Sequence, residues 1–124
     1  MIVRTKHSTH GVDWGNGRSF RLLVDQDGLG FTLAHTHVSA GTESKLQYRR
    51  HLEACYCIDG RGEIVTEDGV AHPIEPGVLY ALDAHDAHTL RASPEGDLEL
   101  ISVFNPPLTG QERHELSADG YSQY

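Results

Sequence analysis

The sequence has 124 residues with 10 basic and 18 acidic side chains, a formal charge of −8 and a pI near 5.5. That balance offers no basic field to nucleic acid or to an anionic membrane surface. No run of about 18 apolar residues is present to span a bilayer, and residues 1–124 read as one domain that buries roughly two thirds of its surface.

No segment shows a sustained helical period; short runs rich in β-branched and aromatic residues alternate with turn signals. In chain order, Arg21–Val24 is a predicted strand that turns at Asp25–Gly28, and Phe31–Val38 is the next, ending at Ala40-Gly41. Lys45–Tyr48 and Glu53–Ile58 follow. Asp59-Gly60-Arg61-Gly62 is a tight turn into Glu63–Thr66, and Glu67-Asp68-Gly69 turns into Val70–Ile74. Pro76-Gly77 leads to Val78–Leu82, and His88–Ala92 and Leu98–Phe104 complete the series. Strands this short and evenly spaced predict an all-β antiparallel sandwich or barrel. The one helical candidate is a brief turn around Gly110–Leu116. The polar ends, Thr5–Gly17 and Ser117–Tyr124, are expected to order only on binding a ligand or partner.

Cys55 and Cys57 lie two apart on one predicted strand, a spacing poorly suited to a mutual disulfide. Two thiols without a framework fit a reducing cytoplasm, and the N-terminus has no apolar core of signal-peptide length. Both cysteines read as small buried hydrophobes rather than ligands.

Nine histidines in 124 residues prompt a search for a metal site. The turns follow the spacing of the cupin superfamily, whose first motif runs Gly, five residues, His-x-His, three or four residues, Glu, six residues, Gly. Gly41, Glu53 and Gly60 fit those intervals, whereas Gln47 and Arg49 stand at the two histidine positions. A second motif puts a histidine beyond a Pro-Gly turn, and His88 satisfies it. Tyr80 shares a strand face with Val78 and Leu82, so it can join Glu53 and His88 in the barrel lumen. Carboxylate, phenolate and imidazole suit a hard or borderline cation such as iron(II), with zinc less favoured. The alternative is a Glu-His-Tyr hydrogen-bond cluster without metal. His35 and His37 imitate a metal His-x-His, but they face away from Thr36; if Thr36 lines the lumen, they are surface or dimer-contact residues. His85, three residues before His88, is either a partner that orients it or an exposed side chain.

Several segments resemble the ectoine synthases, a family of cupin enzymes. They are Met1-Ile2-Val3-Arg4, Gly28-Leu29-Gly30-Phe31, Gly41-Thr42-Glu43, His51-Leu52-Glu53-Ala54, Tyr56-Cys57-Ile58 and Leu79-Tyr80-Ala81-Leu82-Asp83. His85-Asp86-x-His88, Leu90-Arg91-Ala92 and the highly specific Val103-Phe104-Asn105-Pro106-Pro107-Leu108-Thr109-Gly110 continue the match. The resemblance implies a cytoplasmic homodimer that uses Fe(II) to cyclise N-γ-acetyl-L-2,4-diaminobutyrate to ectoine. It puts the metal ligands on Glu53, Tyr80 and His88. Substrate contacts fall on Trp14, an arginine near Arg21, Thr36, Tyr48, His51, Phe104 and Glu112.

The chemistry suits those residue types. Ring closure requires a folded substrate, a Lewis acid at the amide oxygen and a base for the attacking amine. Glu112 and His51 are candidates for that base, with Tyr48 a third catalytic group. Arg21 can hold the substrate carboxylate, although Arg18 could serve instead. Trp14 walls off water or simply plugs the barrel end.

The chain also departs from the family. Ser44-Lys45-Leu46-Gln47-Tyr48 replaces the usual Thr-His-Ile-His-Tyr, Ala34 stands where a substrate-contacting Asn is usual, and Ser102, on the substrate wall, replaces a Cys. Two rival readings follow: a diverged metal cupin acting on another N-acylated amino acid or hydrolysing cyclic amidines, and a non-catalytic small-molecule-binding cupin.

Overall fold

The computed structural model describes all 124 residues. Twelve strands form two six-stranded sheets. The first sheet runs β1 (Gly11–Asp13), β2 (Arg18–Leu23), β3 (Thr32–Val38), β10 (Leu98–Asn105), β5 (Leu52–Asp59) and β8 (Leu79–Leu82). The second runs β11 (Glu115–Leu116), β12 (Ser122–Gln123), β4 (Glu43–Leu46), β9 (His88–Ala92), β6 (Gly62–Thr66) and β7 (Ala71–Ile74). Every pairing is antiparallel except β12 beside β4. The all-β sandwich expected from the turn spacing is the fold observed.

Alternation decides what faces inward. On β5 the inward residues are Glu53, Cys55 and Cys57, and on β10 they are Leu98, Leu100, Ser102 and Phe104. A register shift between Glu99 and Leu100 skips Ile58 on β5; this bulge lies beyond Cys57, so the three inward β5 residues keep a common face. A core of 15 buried residues, including Leu46, Leu90, Leu98, Leu100 and Leu108, fills the space between the sheets. Gly60 turns β5 into β6 with φ 81°, and a Cβ there would lie 2.2 Å from the Asp97 carbonyl oxygen. Only glycine combines that dihedral with that approach.

Two expectations fail. Gly110–Leu116 holds no helical turn; its last two residues are β11 instead. The helical turns are two short 3-10 segments, Lys6–Ser8 and Asp25–Asp27. The polar ends also take up structure within the chain itself. Residues 11–13 pair with β2 through Gly11↔Phe20, and Ser122 pairs with Leu46 while its hydroxyl bonds the Lys45 carbonyl. Polarity misled here because backbone pairing, not apolar content, holds these short strands: β1 against β2, and β12 between β11 and β4.

Candidate active site

The lumen between the sheets collects nearly all the candidates. Thr36, Tyr48, Glu53, Cys55, Tyr80, Ser102 and Phe104 line one inter-sheet cavity together with Trp14 and Tyr124. Antiparallel pairing sets Cys55 opposite Tyr80 and Phe104 opposite Glu53. These neighbours follow from the sheet register, not from loop placement. His88 enters from the opposite sheet, 2% exposed, with its ring 6.5 Å from that of Tyr48. A broader cleft of about 920 Å³ between β8 and the β6–β7 hairpin also reaches Tyr80 and His88.

The protonation states are informative. Burial pushes the Glu53 carboxyl up to about 8 and raises the Tyr80 and Cys55 hydrogens well above their ordinary values. Burial also lowers His88. His88 Nδ1 donates to the Asp86 carbonyl at 2.8 Å, which fixes the tautomer and leaves the Nε2 lone pair bare. That Nε2 is buried with no partner, a state that costs about 1–3 kcal/mol. Tyr80 lines both the inter-sheet cavity that Glu53 lines and the cleft that His88 lines; a carboxyl, a phenol and an unpartnered imidazole nitrogen are donors that suit a cation, whose charge would oppose the effect of burial on Glu53 and Tyr80.

The substrate side is equally specific. Arg21 is 5% exposed; its Nε donates to Ser19 Oγ and its Nη1 to the Gly110 carbonyl. Its Nη2 is the second buried orphan. Arg18, the rival, is exposed and donates to the Gly11 carbonyl. Of the two arginines, only Arg21 is buried between the sheets. Thr36 Oγ1 and Ser102 Oγ are 3.0 Å apart, and Ser102 Oγ is 3.4 Å from Cys55 Sγ. Trp14 is buried with Nε1 donating to the His37 carbonyl at 2.9 Å. His51 donates from Nδ1 to the Pro106 carbonyl at 2.7 Å, which leaves its Nε2 lone pair free, and its ring meets Phe104 edge-on at 6.1 Å.

Glu112 has a different situation. It accepts from the Thr109 and Gly110 amides at 2.7 and 2.9 Å and lies 4.0 Å from Arg21 Nη1. Burial, which pulls its pKa upward, is outweighed by those backbone N–H groups, so the net direction is down. Those amides stabilise the ionised carboxylate.

A family model described as ectoine synthase matches residues 1–123. The chain belongs to the ectoine synthase family. It is 50% identical over 122 residues to an L-ectoine synthase of Desulfatibacillum aliphaticivorans, covering 93% of this chain and 92% of that one. It is 44% identical to an L-ectoine synthase of Halalkalibacterium halodurans, over 92% and 85% of the two chains. The crystal structure of the ectoine synthase from P. lautus superposes with a TM-score of 0.83 at 45% identity, over 89% of this chain and 81% of that one. A Cupin 2 conserved barrel domain protein from Salinispora arenicola shares the fold alone, with a TM-score of 0.67 at 20% identity over 84% and 87% of the chains.

Within this ectoine synthase fold, the two positions that break the cupin histidine pattern turn out to be outward. Leu46 and Tyr48 face in, while Gln47 donates to the His85 carbonyl and Arg49 pairs with Asp119. Gln47 also lines the broader cleft that reaches Tyr80 and His88, whereas Arg49 is exposed. His85 does not touch His88. At φ 54° its Nδ1 reaches the Tyr48 and His51 carbonyls at 2.8 and 3.1 Å, so it holds the loop that carries both candidates.

Sequence reasoning missed two lumen residues, His114 and Tyr124. Ser122 Oγ gives its proton to the Lys45 carbonyl, so His114 Nδ1 must donate to Ser122 and His114 Nε2 must accept from the Tyr48 hydroxyl at 3.0 Å. The Tyr124 ring lies 4.5 Å from His114, 5.1 Å from Tyr48 and 5.0 Å from the Arg21 guanidinium. The two tyrosines of the tail, Tyr121 and Tyr124, were the available hint.

Proposed function

We propose that this chain is an ectoine synthase, converting N-γ-acetyl-L-2,4-diaminobutyrate to ectoine and water. The observation that carries this reading is that two of the three buried side-chain atoms without a partner are His88 Nε2 and Arg21 Nη2, the third being Gln123 Oε1. The first suits a metal and the second a carboxylate, the two handles this reaction requires. Glu53, Tyr80 and His88 would hold iron(II). When bound, that ion supplies a Lewis acid at the acetyl amide carbonyl.

The chain's own residues do the rest. Arg21 Nη2 takes the substrate carboxylate in a charge-assisted hydrogen bond, and Glu112 keeps the guanidinium aimed while remaining ionised. The α-amino nitrogen attacks the carbonyl carbon of the substrate's own acetyl group, and His51 Nε2 accepts the proton released. With substrate bound, the Tyr48 hydroxyl, neutral because burial holds its proton, turns from His114 Nε2 to donate to the oxygen as negative charge develops there. His51 returns that proton to the oxygen, and loss of a second nitrogen-bound proton as the oxygen departs as water leaves the ring C=N bond. Trp14 and Phe104 exclude bulk water, and Thr36 with Ser102 forms the polar wall beside them. Free space in the lumen is about 20 Å³, room for one water. Substrate therefore takes the place of the Tyr124 ring, exchanging its cation–π contact with Arg21 for an ion pair.

The chain functions as one cupin domain, in the cytoplasm, as a homodimer. Tyr56, Ile58, Leu79 and Val103, all at least 36% exposed on the outer face of the first sheet, support the dimer, since an apolar patch of this kind favours a partner. The deciding experiment incubates anaerobically purified, iron(II)-loaded protein with N-γ-acetyl-L-2,4-diaminobutyrate and follows ectoine by NMR beside Glu53→Ala. Ectoine from the wild type alone is the expected result. Absence of product from folded, loaded protein would shift the assignment to another N-acylated diamino acid.

A further inference from the structure

The outward histidines of β3 are more than surface residues. The rings of His35 and His37 stack at 5.1 Å with 5° between their planes. Glu99 on β10, opposite His37 in register, turns one oxygen toward both, 2.9 Å from His35 Nε2 and 3.4 Å from His37 Nε2. The three donor atoms all lie within 4.8 Å of one another. Tetrahedral zinc with bonds of about 2.0–2.1 Å spaces its ligands about 3.4 Å apart, so His37 and Glu99 already stand at that spacing and His35 needs to move back from Glu99 by about 0.5 Å to admit the ion.

A fourth group strengthens the case. Lys6 Nζ donates to His37 Nε2 at 2.6 Å, with the ammonium 5.1 Å from the Phe20 ring. The lone pair of His37 is thus already turned to a cation. A simple surface ion pair accounts for His35 with Glu99, and such a pair is worth about 0–1 kcal/mol. It does not account for a second imidazole held parallel, its nitrogen converging on the same carboxylate oxygen. Both strands belong to one hydrogen-bonded sheet, which positions the donors more firmly than a loop does.

We propose that His35, His37 and Glu99 form a second divalent-metal site of the zinc(II) class, on the outer face of the first sheet, with Lys6 as the resident cation that the metal displaces. Two imidazoles and one carboxylate leave a fourth position for water, and this donor set prefers zinc, nickel or copper to iron. The site is separate from the lumen, because its residues point to the opposite face of β3 and β10.

The test titrates full-length protein carrying Glu53→Ala and His88→Ala with zinc(II) by calorimetry, and with cobalt(II) by visible absorption. One ion per chain and a tetrahedral cobalt band are expected. Adding His37→Gln or His35→Gln should remove both signals, and Lys6→Ala should tighten binding. In the unaltered lumen, His37→Gln should lower the zinc count by one per chain, a readout that does not depend on the double variant folding. Circular dichroism checks each zinc-free protein. A zinc count unchanged by His37→Gln overturns the site, and weaker binding by Lys6→Ala overturns the role of Lys6.

Discussion

The lumen and the outer face of the first sheet hold clusters of similar donors in opposite conditions. Inside, His88 Nε2 and Arg21 Nη2 have no partner and Glu53 keeps its proton up to about 8. Outside, Lys6, His35, His37 and Glu99 satisfy one another at partial exposure. Leaving a buried polar atom unpaired costs about 1–3 kcal/mol, whereas an exposed pair costs almost nothing to keep. The inner cluster is thus maintained against a folding cost that a bound ion and substrate can repay. The outer one can lose its metal with little effect on the fold.

The largest effect expected from this contrast is at the inner ligands. His88→Ala should lose bound iron and lower kcat/KM by more than the roughly 10–100-fold typical of an outer-shell partner. Metal analysis beside the NMR assay checks it, and wild-type turnover from an iron-free His88→Ala protein would sink the metal-centred reading. Arg21→Gln comes next. A hydrogen bond to a charged group is worth about 1.5–3 kcal/mol, so KM should rise about 10- to 150-fold, while Arg18→Gln leaves it near wild type. Equal effects from both variants would remove the distinction between them.

The pH dependence sharpens the same comparison. Glu53 in the metal-free fold sits at about 8, above its ordinary 4.5. Its stabilising contribution is complete below 4.5 and is lost as pH rises through 8. Metal-free protein should melt lower at pH 9 than at pH 6. Iron binding requires the ionised carboxylate, so apparent affinity should fall as pH drops below 8 and proton release should accompany binding; pH-independent affinity would contradict this.

The smallest effect expected is at His114, which burial lowers to about 4 from 6.5. The unfolded chain takes up a proton that the buried ring refuses. Stability from this residue is therefore complete above 6.5 and is lost as pH falls through 4. Denaturation midpoints across that window should flatten in His114→Gln, which keeps an acceptor for Tyr48, and activity should fall less than in Arg21→Gln.

Much of this molecule was legible in its residues. Glu53 and His88 stand at cupin spacings, and Tyr80 follows from strand alternation. The ends were misread because apolar content is a poor guide where one edge strand and one aromatic ring suffice. The Gly110–Leu116 turn was misread for a related reason: a short polar segment has little intrinsic preference, and its conformation follows the Arg21 guanidinium and the β12 edge it meets. Glu112 looked like a base by residue type. Only the structure shows the Thr109 and Gly110 amides that stabilise its ionised form.

The sequence by itself determined the strand series, the glycine turns, the family and the inward donors on β5, β8 and β9, because dihedral preference and the two-residue period act within a few residues. The tertiary structure buried Arg21 and left Arg18 exposed, turned Gln47 and Arg49 outward, brought His114 and Tyr124 into the lumen and gathered His35, His37 and Glu99. Those contacts join residues far apart in the chain, 64 positions for His35 and Glu99 and 66 for Tyr48 and His114. Sheet register and burial alone select them, and no local window of sequence contains either.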